Sequence, residues 1–441
     1  MKKAKIGKFQ IDFALLIILL ILMPMHTLIF ARMLANYKFF NLWRDFIIIF
    51  LASFSINGRI KNNIFDFSLL LSIVFIIFYS FCSGRMAALN VARTYCVPIL
   101  IFFYTRNRKF SYKEYGTIIR TLMYTATIIA VWGLFQAFVL GPEIMFKLGY
   151  EHNGNRFTST SFYINGWTQQ RVIGTFSSPN ACGAFFAVMI VLLVNFRNKV
   201  ENRKLFWICI TIITIGLLGT FSRSAWIGCL LGLLFFNHKK IHFYKKNARF
   251  ILVGVIFFSL VLVFLSGTSM YKTMHDMLVD HIGNTIKQQD TSFAYHLQQL
   301  YTPIREIIKH PLGLGFGTNG SMALAYLPVE QTHQVESSLW LMTYELGIIG
   351  VFVYFFPYTY ILVHFGREKS NELASCAAKI CLCTLMTYLV LPSVQNFEAP
   401  FYVMLFAGMA ACTERNFALK ALQTHSNIQI YIKHYDLSTK Y

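Results

Sequence analysis

Apolar runs of bilayer length dominate this chain, and polar stretches interrupt them at short, repeated intervals. About 20 apolar residues make one bilayer crossing. On that measure the pattern predicts about 12 transmembrane helices, near 12–30, 43–57, 64–83, 88–104, 116–140, 180–196, 205–220, 225–236, 250–266, 338–363, 373–392 and 398–412. The expected fold class is an all-α integral membrane protein, one polytopic domain over residues 1–441. Its first apolar run, Ile11 to Phe30, is too long for a signal peptide and lacks a small-residue cleavage site, so it reads as the first helix. Two polar segments, residues 141–179 and 267–337, are too long for turns. Loops on a rigid scaffold carry function more often than the scaffold does, so the chemistry is expected there.

Composition makes lipid the solvent: 13% of residues are charged, against roughly 25% in soluble domains. The net charge of +21 suggests nucleic acid only until the basic residues are located. They punctuate apolar segments instead of clustering, which argues against a nucleic-acid partner. Lys2, Lys3, Lys5 and Lys8, then Arg59 and Lys61, Lys109 and Lys113, Arg197 to Lys204, Lys239 to Arg249, and Arg367 with Lys369 fall in alternate gaps. The positive-inside rule then predicts a cell inner membrane protein with both termini cytoplasmic and both long loops external, on the periplasmic side. The nine cysteines lie nearly all inside apolar runs, with no CxxC and no paired loop spacing. Neither a disulfide framework nor a metal site is expected, and no cofactor motif stands out.

Three segments carry candidate chemistry. Arg171-Val-Ile-Gly174 leads through Pro179-Asn180 into an apolar helix that Ser178 or Asn180 can cap, beside a proline suited to the first turn. An arginine before such a terminus makes either an anion site or an interface anchor. Arg223 occupies a gap of a few residues between two apolar runs, which holds its side chain near the membrane surface. Gly228 and Gly232 beyond it have the spacing of close helix packing. The long loop contains His296, Arg305, the run Pro311-Leu-Gly313-Leu-Gly315-Phe-Gly317-Thr-Asn-Gly320, and His333 with Glu336. Gly315 to Gly320 matches GxGxxG in letters, but no βαβ unit can surround it, so the glycines are expected to turn the backbone sharply. Beyond the loop, Glu345 lies deep in apolar sequence, where an ionised carboxylate is costly unless paired; a buried ion pair is its expected job.

In these motifs the chain resembles the O-antigen polymerases and O-antigen ligases, bacterial membrane enzymes acting on undecaprenyl-diphosphate-linked sugars. The resemblance rests on Arg171-x-x-Gly174 with Pro179-Asn180, Ser222-Arg223-Ser-Ala, Pro311-Leu-Gly-Leu-Gly315 and Glu345-Leu-Gly347-Ile-Ile-Gly350, in that order, spanning about residues 165–355. It implies a membrane-glycosyltransferase helical bundle that needs neither nucleotide sugar nor metal. Arg171 and Arg223 then match the arginines that contact the donor diphosphate, with Arg305 a weaker match. His296 and Asn180 are candidate substrate contacts. Where ligases show His-Asn before the helix, this chain has Glu336-Ser337, with His333 one turn upstream, so either Glu336 or His333 is the candidate base. That departure favours polymerase over ligase.

The resemblance implies direct displacement of the diphosphate by a sugar hydroxyl, with inversion at the anomeric carbon. Its implied partners are lipid-linked glycans, membrane lipids and a chain-length regulator. Tyr163, Trp167 and Tyr301 can stack on sugar rings or anchor the interface. Two rivals stay open: a ligase that moves the polymer to lipid A core, and a transporter or flippase, which would be expected to show paired halves and broken helices. A cell-wall glycan polymerase is more distant.

Overall fold

The computed structural model describes residues 2–34, 36–54, 64–83, 86–141, 143–150, 162–163, 170–234, 308–320, 323, 335, 337–368, 371–391 and 396–413. These are helical apart from turns and isolated bridges such as Tyr163 with Gln170. In chain order the helices are α1 (Lys2–Leu22), α2 (Trp43–Ser53), α3 (Ile64–Ser83), α4 (Met86–Asn107), α5 (Tyr112–Phe135), α6 (Glu143–Lys147), α7 (Pro179–Asn195), α8 (Arg203–Gly219), α9 (Arg223–Leu234), α10 (Ser338–Tyr360), α11 (Glu372–Val390) and α12 (Glu398–Thr413). Eleven of the twelve expected spans overlap one of them, and the remaining one, 250–266, lies outside the described residues. Five qualify as spans by length and hydropathy: α3, α4, α5 extended to Leu140, α10 extended to Phe365, and α11. A sixth appears if Ile11–Met25 and Thr27–Met33, bent by 64°, count as one. The chain is thus an all-helical membrane protein with five or six candidate spans among the described residues.

Helix α7 sits at the centre. Its sequence is apolar on every face, so nearly all of it is buried. By contrast α3 leaves Phe67, Val74, Phe78 and Phe81 exposed, as a lipid-facing helix does. Gly228 and Gly232 do what their spacing predicts: a Cβ on them would lie 2.9 Å from the Cys383 carbonyl and 3.2 Å from that of Lys379, so α9 lies hard against α11.

Hydrogen bonds define the two ends of the bundle. At one, Cys412 Sγ reaches the Arg108 carbonyl, Asn195 Nδ2 that of Glu372, and Arg108 the carboxylate of Asp12. At the other, the segment from Arg171 to Ser178 ties together the ends of α1, α5 and α8 and the starts of α7 and α9: Thr175 Oγ1 donates to the Pro24 carbonyl (2.6 Å), Gly174 N–H to Gln136 Oε1 (3.1 Å) and Val172 N–H to the Gly219 carbonyl (2.8 Å). The first long loop packs here as well, with Met145, Tyr150, Phe162 and Ile173 forming a small core on Leu28.

Several buried charges are paired. Arg108 donates through Nε to Asp12 (2.7 Å) and through Nη2 to Glu114 (2.8 Å), while Tyr104 donates to the same Asp12 oxygen (2.9 Å). Asp66 pairs with Arg106. Removing one partner strands the other charge, at a cost of about 3–5 kcal/mol. Arg108→Leu is therefore expected to lower the unfolding temperature of the detergent-solubilised protein clearly, and an unchanged transition would refute the pairing as a stabilising element.

Candidate active site

The functional segment opens on Arg171. Its backbone N–H donates to the Phe162 carbonyl at 2.8 Å, and the next residue is held by the Gly219 carbonyl. The side chain is half-buried and braced twice: Nε donates to the Thr220 carbonyl (2.7 Å) and Nη2 to Asn180 Oδ1 (3.0 Å). These two bonds orient the side chain and aim the fork at the start of α7. Ser178 caps that helix, accepting from Ala181 N–H at 3.2 Å with Pro179 in the first turn, as its sequence predicts.

Arg223 opens α9 immediately beyond Thr220, after a left-handed Phe221 (φ 50°) that turns the chain between α8 and α9. The starts of α7 and α9 are in close approach: a Cβ on Gly183 would lie 2.9 Å from both Ser222 Cβ and Thr220 Oγ1. The two motifs, some fifty positions apart, therefore converge at one mouth of the bundle. Burial and the charge of Arg223 push the pKa of Arg171 down to about 10, so Arg171 remains cationic at neutral pH. Two like charges beside two helix N-termini create a positive field suited to a polyanion.

The antiparallel register set by Gly228 and Gly232 against α11 puts Arg223 level with Tyr388. At that level Ser337 Oγ donates to the Tyr388 carbonyl (3.3 Å), and Ser338 donates to the Leu391 carbonyl through N–H (3.0 Å) and Oγ (2.5 Å). The start of α10 is thus stapled to α11 at the level of Arg223. Of the sequence candidates, Arg171, Arg223 and Asn180 are brought together. His296, Arg305, His333 and Glu336 lie outside the described residues.

The remaining two motifs meet each other. Helix α10 is broken at Gly347 (φ 69°, ψ −176°), and the run Pro311 to Gly320 fills the break. Leu314 N–H donates to the Tyr344 carbonyl (2.6 Å), Gly315 N–H to that of Glu345 (3.1 Å), and Ile348 N–H to that of Pro311 (3.1 Å). Glu345 Oε1 accepts from Gly317 N–H (2.9 Å) and Asn319 N–H (3.4 Å). Gly313, Gly315, Gly317 and Gly320 all have positive φ, so the expected sharp turns are present. The ion pair expected of Glu345 is not: among the described residues its carboxylate binds backbone N–H groups of the glycine run. These donors satisfy one oxygen of the buried carboxylate, and the sequence does not reveal them because they belong to main chain.

Sequence reasoning also missed Gln136, Thr175 and a charged cluster on the α1 side of the mouth. In that cluster Arg93 meets Asp45 at 3.0 Å, while Arg44 lies 3.9 Å from Glu398 and 4.0 Å from the Phe397 ring centroid. Gln136 had a visible signal, a lone amide in an apolar helix, as had Arg44, Asp45 and Arg93, charges within apolar runs; Thr175 had none.

Arg171 yields a pH prediction. Its charge is complete below about 10 and is lost above it, so affinity for a diphosphate probe is expected to stay flat from pH 7 to 9 and to fall as pH passes about 10. Binding of a dialkyl diphosphate, whose own charge is constant over this range, titrated by pH checks this, and a fall beginning near neutrality would point to a different group.

No curated protein matches the chain. Residues 207–355, about a third of its length, match the family model described as O-antigen ligase, and the match includes Arg223, the glycine run and the α10 break. Members of that family are membrane glycosyltransferases, either ligases or polymerases. Over residues 207–355, then, the chain is similar to the family described as O-antigen ligase.

Proposed function

We propose that this protein is a polymerase joining undecaprenyl-diphosphate-linked oligosaccharide repeat units into a surface polysaccharide, O antigen or capsule, at the outer face of the cytoplasmic membrane. The observation that carries the reading is the convergence of Arg171 and Arg223 at one mouth, with Arg171 oriented by Thr220 and Asn180. A sugar hydroxyl attacks the anomeric carbon, the bond from that carbon to the diphosphate oxygen breaks, and the hydroxyl proton passes to a base. Charge develops on the departing diphosphate, so preorganised guanidinium forks stabilise the transition state more than the ground state. Glu336 or His333 serves as the base in this reading, since Ser337 is anchored level with Arg223. Direct displacement inverts the anomeric centre.

The proposed architecture has 12 spans, with loops 141–179 and 267–337 external and both termini cytoplasmic. Arg108, Lys109, Lys113, Arg197, Lys199, Arg203 and Lys204 support that orientation, because they gather at the Asp12 end, opposite the arginine mouth. A ligase is the second reading, favoured by the description of the matched family model. Complementing a strain that lacks the gene separates the two on a polysaccharide gel. If only single repeat units are attached without the protein and a ladder returns with it, the polymerase reading holds. If all attached glycan, single units included, depends on the protein, it is a ligase.

A further inference from the structure

We infer that Glu345 is a positioning residue of the transfer reaction: it clasps the glycine run 311–320 to the first half of α10 and so fixes the helix whose start is bonded to α11 at the level of Arg223. The inference rests on the proposed site in that it takes Arg223 to face the reacting groups. The segment Ser337–Leu346 is held at both ends. At one end Ser337 and Ser338 bond to the carbonyls of Tyr388 and Leu391. At the other Glu345 Oε1 receives the N–H groups of Gly317 and Asn319, and the carbonyls of Tyr344 and Glu345 receive those of Leu314 and Gly315. Between these staples Leu341, Met342 and Leu346 are buried. The glycine run is itself tied to α3 and α4: Tyr79 OH donates to the Leu312 carbonyl (2.5 Å), Phe316 N–H to Ser83 Oγ (3.2 Å), and a Cβ on Gly317 would lie 2.6 Å from that of Ala87.

This geometry separates Glu345 from an acid or base in the chemistry. Its working oxygen accepts from two donors, a task the side-chain carbonyl of glutamine performs equally well. Among the described residues its other oxygen, Oε2, is buried and meets no hydrogen-bond partner. What the site asks of residue 345 is an acceptor at one point in space, and the carboxylate charge is not required. Loss of the acceptor frees two buried N–H groups and lets the first half of α10 shift against Arg223; displacements of about 1 Å near reacting groups cost on the order of a hundredfold.

The test is a kinetic series on purified full-length protein in detergent, with the lipid-linked repeat unit as substrate and sugar transfer as the readout. Glu345→Gln is expected within about threefold of wild type, and Glu345→Ala to lose tenfold or more in kcat with KM for the donor unchanged, because the arginines that hold the donor are untouched. Gln as inactive as Ala would overturn the inference in favour of a charge requirement, and wild-type kinetics from both would overturn it outright. If the Ala variant fails to fold, Tyr79→Phe loosens the same clasp through an exposed hydroxyl. A several-fold fall in kcat there supports the inference and no change refutes it. Arg171→Ala and Arg223→Ala run alongside: full activity from both sinks the proposed site while leaving the Glu345 series to be judged on its own ratio.

Discussion

On the proposed function, Arg171→Ala and Arg223→Ala are each expected to reduce sugar transfer by about a hundredfold to a thousandfold, the usual loss when one preorganised donor to a developing oxyanion is removed. The effect should fall on kcat more than on donor affinity, because the diphosphate gains negative charge as the glycosidic bond breaks. Arg171→Lys discriminates further. It keeps the charge but loses the planar fork that reaches Thr220 and Asn180 together, so it should recover only part of the rate. Initial rates on the lipid-linked repeat unit, with size-exclusion profiles to confirm folding, measure this. Rates within twofold of wild type for both alanine variants would reduce the arginines to interface anchors.

Gly347→Ala is expected to be the most destabilising single substitution in the described part of the molecule, by more than about 3 kcal/mol. Its backbone, at φ 69° and ψ −176°, occupies a region only glycine adopts comfortably, and strain of about 1–3 kcal/mol follows from that alone. A Cβ there would also collide with the Pro311 carbonyl and the Leu312 backbone, which lie within the break and have no room to retreat because Ile348 N–H and Tyr79 hold them. Gly116→Ala is the matched control: it lies in α5 with nothing within 4 Å of the new methyl, and is expected to be neutral or to stabilise by about 0.5–1 kcal/mol. Thermal unfolding in detergent reads both. If the Gly347 variant unfolds with wild type, the interlock between α10 and the glycine run does not exist in solution.

Much of this was legible before any coordinates. Hydropathy runs locate α3, α4, α5 and α11 closely because lipid requires every spanning backbone group to be satisfied within its own helix, which makes apolar length a direct report of structure. Arg171, Asn180 and Arg223 were legible as site candidates because an arginine is conspicuous against apolar surroundings. Ser178 and Pro179 were legible because caps are local. The kink in α10 was not, since hydropathy runs through Gly347 without interruption. Nor was the partner of Glu345: a buried carboxylate announces that it needs donors, yet main-chain N–H groups look the same at every position.

The one-dimensional order of residues is enough to establish a helical membrane protein, its alternation of basic gaps, and the identity of the motifs, for each depends on neighbours within a few turns. Folding alone brings Arg171 to Arg223, seats Pro311–Gly320 in the break of α10, and sets Ser337 level with Arg223 across α11. Those contacts join segments far apart in the chain, and their partners are largely carbonyls and amides common to all residues. Such matches are selected by packing and close approach in three dimensions, and no side-chain pattern encodes them.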